Sequence, residues 1–305
     1  MIKTTFSKLT LGTAQLGLNY GITNKHGFLC QKDAFSILNH AKKDGITTFD
    51  TAPAYGEAET RLGQWIRNNS MEENNQPIII TKLPKFEPNK NSNAASFVEN
   101  SINQSLETLG LQQIPLLLAH HAEDLLNPAI YDSVTSLRES GKIDSFGASV
   151  YDVEVALKLI ENTDISALQI PFSIADQKFV KSGLTSEAKK KSIAIFARSI
   201  FLQGILLLSE NQIPDFLREL RSPIQRLSDI SALNELSCAN ILLRFVAYHE
   251  EITSCVVGLE SISQLKTHLD SYKAGPLPSN LSAEIFDLFD EISPETQNPG
   301  RWPKR

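Results

Sequence analysis

Asp50, Tyr55, Lys82 and His120 are the residues of this chain whose types and spacing could do chemistry. They stand at or just past the ends of three short apolar runs: Ile46-Thr47-Thr48-Phe49-Asp50, Ile78-Ile79-Ile80-Thr81-Lys82 and Pro115-Leu116-Leu117-Leu118-Ala119-His120. Reducing a carbonyl needs a hydride donor and a proton donor on the same group, and a tyrosine phenol suits the second task. A free phenol has a pKa of about 10. An ammonium about 4 Å away, at an effective dielectric of ~20, stabilises the phenolate by about 4 kcal/mol, or roughly three pKa units. The expectation is that Lys82 brings Tyr55 near neutrality. Asp50 would pair with Lys82, since an unpaired buried ammonium tends to lose its proton, and His120 would orient the carbonyl oxygen. Taken singly, each residue has an ordinary reading as a cap, a snorkelling side chain or packing. Together, at the ends of adjacent strands, they point to a site.

Those groups need elements to hold them. Strand-like apolar runs alternate with helical patterns throughout, which argues for a parallel sheet with crossover helices. Strands are expected at Leu9–Thr13, Ile46–Asp50, Ile78–Lys82, up to His120, Ile143–Ser149, Ala167–Pro171, Ile193–Ala197 and Ser254–Gly258. Helices are expected near Lys32–Lys43, Ala58–Asn68, up to Leu109 with Ser92 as cap, Ala129–Ser140, up to Ile160 with Asp152 as cap, Ser228–Tyr248 and Ser261–Leu269. A last helix, Ala283–Ile292, would lie outside the barrel. The count fits a closed (β/α)8 TIM barrel, whose sites form at the C-terminal ends of its strands. With no low-complexity linker to divide it, residues 1–305 read as a single barrel domain.

The formal charge of −6, without a long basic run, argues against nucleic-acid or membrane-surface partners; the partner expected from the four residues above is a small-molecule carbonyl substrate. Cys30, Cys238 and Cys255 are scattered, with neither a disulfide pattern nor metal-ligand spacing, so no metal is expected. Cys255 reads as core. Met1-Ile2-Lys3-Thr4-Thr5 leads into no long apolar region, and no window approaches a transmembrane helix, so a cytoplasmic location is the expectation. His120 and His121 are adjacent, so one strand would point them to opposite sides, against a metal hydrolase. A one-residue shift of the pleat would exchange them.

The strings "LTLGTAQLGLNYG", "FDTAPAYGEAETRLG", "IIITKL" and "LLLAHHAEDLL" resemble the aldo-keto reductase family, from Leu9 to the tail Arg301-Trp302-Pro303-Lys304. The likeness is to bacterial members with a "GTAQLGLNYGI" start, some of which look as if they serve carbohydrate pathways. It implies the barrel, NADP(H) or NAD(H) as cofactor, and Asp50, Tyr55, Lys82 and His120 in the roles above, with His120 rather than His121 matching the family histidine. No Gly-x-Gly-x-x-Gly fingerprint follows the first strand, so a Rossmann site lacks its main support. The resemblance instead implies a cofactor lying across the later strand ends. Its contacts would be Gly12, Thr13, Ala14, Ser149, Gln169, Arg198, Phe201, Gln203, Gly258, Glu260, Ser261 and Gln264, with Ser149 and Gln169 on the carboxamide.

Three departures from the family pattern stand out. Val150 replaces an asparagine after Ser149. Arg198 stands where many members stack a tyrosine on the nicotinamide, and a guanidinium plane can also stack. Gly258-Leu259-Glu260-Ser261-Ile262-Ser263-Gln264 has no cation for a 2′-phosphate, while Glu260 could accept from ribose hydroxyls. NADPH preference is therefore expected to be weak. Substrate contacts are expected from Leu18, Asn19 and Tyr20, from Pro84 and Phe86, and from Phe201. Two other readings compete: a Schiff-base lyase with Lys82 as nucleophile, and a non-catalytic nicotinamide-binding sensor or regulatory barrel.

Overall fold

The computed structural model describes residues 5–24, 27–69, 76–90 and 93–303. Its strands are β1 (Leu9–Gly12), β2 (Thr48–Asp50), β3 (Ile78–Leu83), β4 (Ile114–Ala119), β5 (Ile143–Ser149), β6 (Ala167–Pro171), β7 (Ala194–Arg198) and β8 (Ser254–Gly258). They close in chain order into one parallel barrel, β8 pairing back onto β1. The strands are short and rich in Leu, Ile, Val and Phe because both their faces are covered.

Alternation along each strand sorts side chains into two cores. Leu9 and Leu11, Phe49, Ile79, Leu117, Phe146, Leu168, Ile195 and Cys255 point outward into a continuous layer beneath the helices. Ile80, Leu116, Leu118, Ala167 and Phe196 point inward and fill the barrel floor, where Phe6 meets Phe196 edge-on at 4.9 Å. Beside them Thr10 and Ser254 share a buried hydrogen bond of 2.7 Å. One pleat step above this floor, at the C-terminal strand ends, the inward residues become polar.

The outer helices are amphipathic. In Gln31–Lys43 the buried face is Ala34, Ile37, Leu38 and Ala41. Asp152 caps the helix Val153–Asn162, accepting from the Glu154 and Val155 amides. The expected cap Ser92 lies outside the described residues, as do Met1–Thr4 and Lys304; Asn93 caps Ala94–Leu109 by accepting from the Ser96 amide at 3.0 Å. The expected single helix Ser228–Tyr248 is two, Arg221–Leu233 and Cys238–Ala247. The chain breaks at Glu235, whose φ is +53°, and Ser237 then caps the second helix. The last expected helix lies earlier, at Ser279–Phe286, and gives way to single turns through Ile292. Among the described residues no single helix is long and apolar enough to cross a membrane.

β5 and β6 approach so closely at Gly147 that a Cβ there would lie 1.9 Å from the Ala167 carbonyl oxygen. Gly147→Ala should therefore cost about 1–3 kcal/mol, the usual range for overpacking, read as a lower urea midpoint. An unchanged midpoint would show that the strands part without penalty.

Candidate active site

The polar tier takes one inward residue from each strand end. Asp50 comes from β2, Lys82 from β3, Ser149 from β5, Gln169 from β6 and Arg198 from β7, while β1 and β8 contribute the registered pair Gly12 and Gly258. His120 follows Leu116 and Leu118 in the inward phase. It lines the cavity, and His121 is exposed.

At the base of the tier Lys82 is 1% exposed. Its ammonium donates to Asp50 Oδ1 and to the Thr51 carbonyl, each at 2.8 Å. Burial pulls its pKa down, but the Asp50 carboxylate and the Tyr55 phenol outweigh this and hold it above the ordinary value. Gln169, 1% exposed, donates its side-chain amide to the same Asp50 oxygen at 2.8 Å. Sequence reasoning assigned that amide to a cofactor carboxamide. Here one of its amide N–H groups is bound to the buried carboxylate, as a buried polar group requires a partner, and the side chain also lines the cavity above.

Tyr55 reaches the tier from the turn after β2. The Lys82 Nζ lies 4.7 Å from its ring centroid, and its ring stands perpendicular to His120 at 6.0 Å. Its pKa is raised, not lowered to neutrality as expected. Burial is the largest cause, and Lys82 is the largest opposing one. His120 is pushed down to about 4, first by burial and then by the Lys82 charge. Tyr55 is therefore a neutral phenol and His120 a neutral imidazole at pH 7.

Three residues that hold Tyr55 were missed from the sequence. A Cβ at Gly17 would sit 1.9 Å from the Tyr55 carbonyl oxygen, and Gly56 needs φ +59° to make the turn. Arg61, 6% exposed, donates to the Leu16 and Leu29 carbonyls at 2.8 and 2.6 Å and pairs with Glu57, so it pins the β1 loop to the helix carrying the turn. The signals were present: a glycine inside the loop string, and an arginine on the apolar face of an amphipathic helix.

Above this base opens a cavity of about 490 Å³. Of the residues expected to touch a cofactor, Gly12, Ala14, Ser149, Gln169, Arg198, Phe201, Gln203, Gly258, Glu260 and Gln264 line it. Thr13 and Ser261 do not. The Thr13 hydroxyl donates to the Asp50 carbonyl at 3.0 Å, and the Ser261 hydroxyl caps a helix by accepting from the Gln264 amide. Gly258 leaves room for Gln15, whose Nε2 would lie 2.3 Å from a Cβ there.

The loop after β7 carries left-handed backbone at Ser199, Leu202 and Gln203, with φ of +61°, +47° and +53°. Such outliers cost free energy and cluster at functional sites. Phe201 stacks on His268 at 5.0 Å. The Arg198 guanidinium lies 4.0 Å over the Tyr151 ring, donates to the Val150 carbonyl at 3.3 Å and lines the cavity. Gln15, Tyr151 and His268 also line the cavity, and sequence reasoning missed them because no strand end carries them.

On the substrate side only Tyr20 and Phe201 of the expected residues reach the wall. Burial is the main cause pushing the Tyr20 phenol up to about 12, although 39% of the residue's surface is exposed. Leu18 packs over Gly56, and Asn19 and Pro84 are off the wall. Phe86 packs against Phe97 at 5.4 Å, and its amide is held by Asp124, so it belongs to the outer packing.

A family model described as the aldo/keto reductase family matches residues 8–290. Pyridoxal 4-dehydrogenase from Microbacterium luteolum is 25% identical, over 87% of this chain and 89% of its own. D-arabinose 1-dehydrogenase from Saccharomyces cerevisiae is 26% identical, over 94% and 89%. L-glyceraldehyde 3-phosphate reductase from Escherichia coli O157:H7 is 24% identical, over 87% and 85%. Among solved structures, an aldo-keto reductase from Bacillus halodurans in its holo form superposes with a TM-score of 0.75 at 19% identity, over 94% of this chain and 95% of that one, a likeness of fold.

His120 and the 5%-exposed His268 both sit near pKa 4, each with burial as the first cause. In the unfolded chain an imidazole titrates at about 6.5. The unfolded state thus binds more protons in the interval between, and stability falls as pH drops through it. The thermal midpoint should decline from pH 6.5 toward 4, and His268→Gln should make that decline shallower. Equal slopes in the two proteins would contradict this.

Proposed function

The chain belongs to the aldo/keto reductase family, and on that premise we propose that this oxidoreductase reduces an aldehyde or ketone to an alcohol through Asp50, Tyr55, Lys82 and His120. The observation that carries the proposal is the buried Asp50–Lys82 pair, with the ammonium 4.7 Å from the centre of the Tyr55 ring and His120 edge-on to the same ring. A bound dihydronicotinamide supplies the hydride. Gly12 and Gly258 line the cavity where such a group would lie, and Gln15, Ser149 and Gln264 offer it polar contacts. Neutral His120 donates a hydrogen bond to the carbonyl oxygen and orients it. As negative charge grows on that oxygen, Tyr55 gives up its proton. A phenol of raised pKa is still far more acidic than an alcohol, so the transfer runs downhill. Lys82 stabilises the phenolate left behind, and solvent reprotonates it.

Other features support the finer parts of this reading. Lys82 is protonated and committed to two acceptors, whereas a nucleophilic amine needs a lowered pKa. That disfavours the Schiff-base lyase. Glu260 on the cavity wall, in a segment without Lys or Arg, favours NADH being accepted alongside NADPH. The relatives are named for oxidoreduction of an aldose, a sugar phosphate and pyridoxal, which favours a small polar carbonyl compound related to carbohydrate. The chain would work as one catalytic domain.

Fluorescence titration with NADH and NADPH, followed by an aldehyde panel, tests the proposal. Both nucleotides should bind, without a large NADPH preference. Tyr55→Phe should keep that binding and lose on the order of 10²–10⁴-fold in reduction, the usual contribution of a positioned acid. Full activity in Tyr55→Phe would remove the phenol from the mechanism. Nucleotide binding without turnover of any carbonyl would favour the sensor reading.

A further inference from the structure

Resting on the carbonyl-reductase reading, the geometry points to Arg198 as a specificity residue that selects aldehydes bearing a carboxylate or phosphate near the carbonyl. Three observations carry this. Arg198 ends β7 in the inward phase, in the same tier as Gln169, and lines the cavity that also holds Tyr55 and His120. It forms no ion pair among the described residues, whereas Arg61 and Arg138 pair with Glu57 and Asp164. Its one side-chain hydrogen bond among them, to the Val150 carbonyl, is long at 3.3 Å, so most of its planar fork of N–H donors is left for an acceptor from outside.

The surroundings favour an anion there. Asp50, the nearby carboxylate on the wall, is already occupied by Lys82 and Gln169 through the same oxygen. The charges of Asp50 and Lys82 offset one another, so Asp50 does not take up the Arg198 charge; the other carboxylate lining the cavity is Glu260. The Tyr151 ring, 4.0 Å from the guanidinium carbon, is a cation–π partner that makes no demand on its remaining N–H donors, and such a planar fork suits bidentate recognition of an oxyanion. Tyr20, a neutral phenol on the same wall, can add a donor. The carbonyl would sit between Tyr55 and His120 and the anion at Arg198.

The same oxyanion chemistry could come from a nucleotide diphosphate, so the test separates the two sources. Steady-state kcat/KM would be measured for matched pairs: glyceraldehyde 3-phosphate against glyceraldehyde, and succinic semialdehyde against butanal. NADH dissociation constants would be measured alongside by fluorescence. The protein should favour the anionic member by on the order of 10- to 100-fold, as hydrogen bonds to charged groups typically give. Arg198→Gln should bring that ratio to near one chiefly through KM, while Arg198→Lys should keep part of it. The NADH constant should change much less than the ratio. Equal use of charged and neutral aldehydes by the unmodified protein would overturn the proposal and leave the reductase reading standing. So would an Arg198→Gln loss that is uniform across substrates and matched in the NADH constant, since the anion would then belong to the nucleotide. Failure to reduce any aldehyde would defeat both readings.

Discussion

An ammonium group at 1% exposure inside a barrel sheds its proton unless an anion accompanies it, and Lys82 keeps its charge because Asp50 lies 2.8 Å away. That pair could not stand alone. Buried ion pairs recover their desolvation cost only when the remaining lone pairs and protons are also satisfied. The Thr51 carbonyl takes a second ammonium proton, and Gln169 reaches across from β6 to the carboxylate. Three strands therefore contribute to one charge cluster, and barrel closure is what brings β6 within reach of β2. The tier above the apolar floor depends on this cluster, since it sets the field in which Tyr55 and His120 sit.

The field acts against a dry environment. Burial raises the Tyr55 phenol more than Lys82 lowers it, and burial keeps His120 neutral. For carbonyl reduction that balance is useful. The donor begins protonated, the orienting group carries no charge, and the lysine matters most once a phenolate exists. The backbone does the rest of the positioning. Gly17 and Gly56 let the β1 loop and the Tyr55 turn touch, and Arg61 ties both to one helix.

Much of this was legible in the chain because it follows from the period-2 alternation of strands. Leu116 and Leu118 set the inward phase of β4, so His120 rather than His121 had to face the cavity. The same rule carries Asp50, Lys82, Ser149, Gln169 and Arg198 to one level. Local spacing could not show partnerships across the barrel. Gln169 turned out to serve Asp50, 119 residues away, and Arg198 to rest on Tyr151. Phe86 read as a substrate contact because it follows β3, yet its ring turns outward to Phe97. The break at Glu235 was hidden because a left-handed residue there has no glycine to mark it.

The most direct test of the account is the pH dependence of kcat/KM for alcohol oxidation, the reverse reaction, in the unmodified protein and in Lys82→Met. Oxidation needs the Tyr55 phenolate, so the rate should climb with pH until the phenol has ionised. Removing the ammonium removes the largest influence lowering that pKa. The account predicts that the rising limb moves to higher pH in the variant, with circular dichroism showing the fold retained. A limb that stays in place while the rate drops uniformly would contradict it, because Lys82 would then not act through the Tyr55 proton.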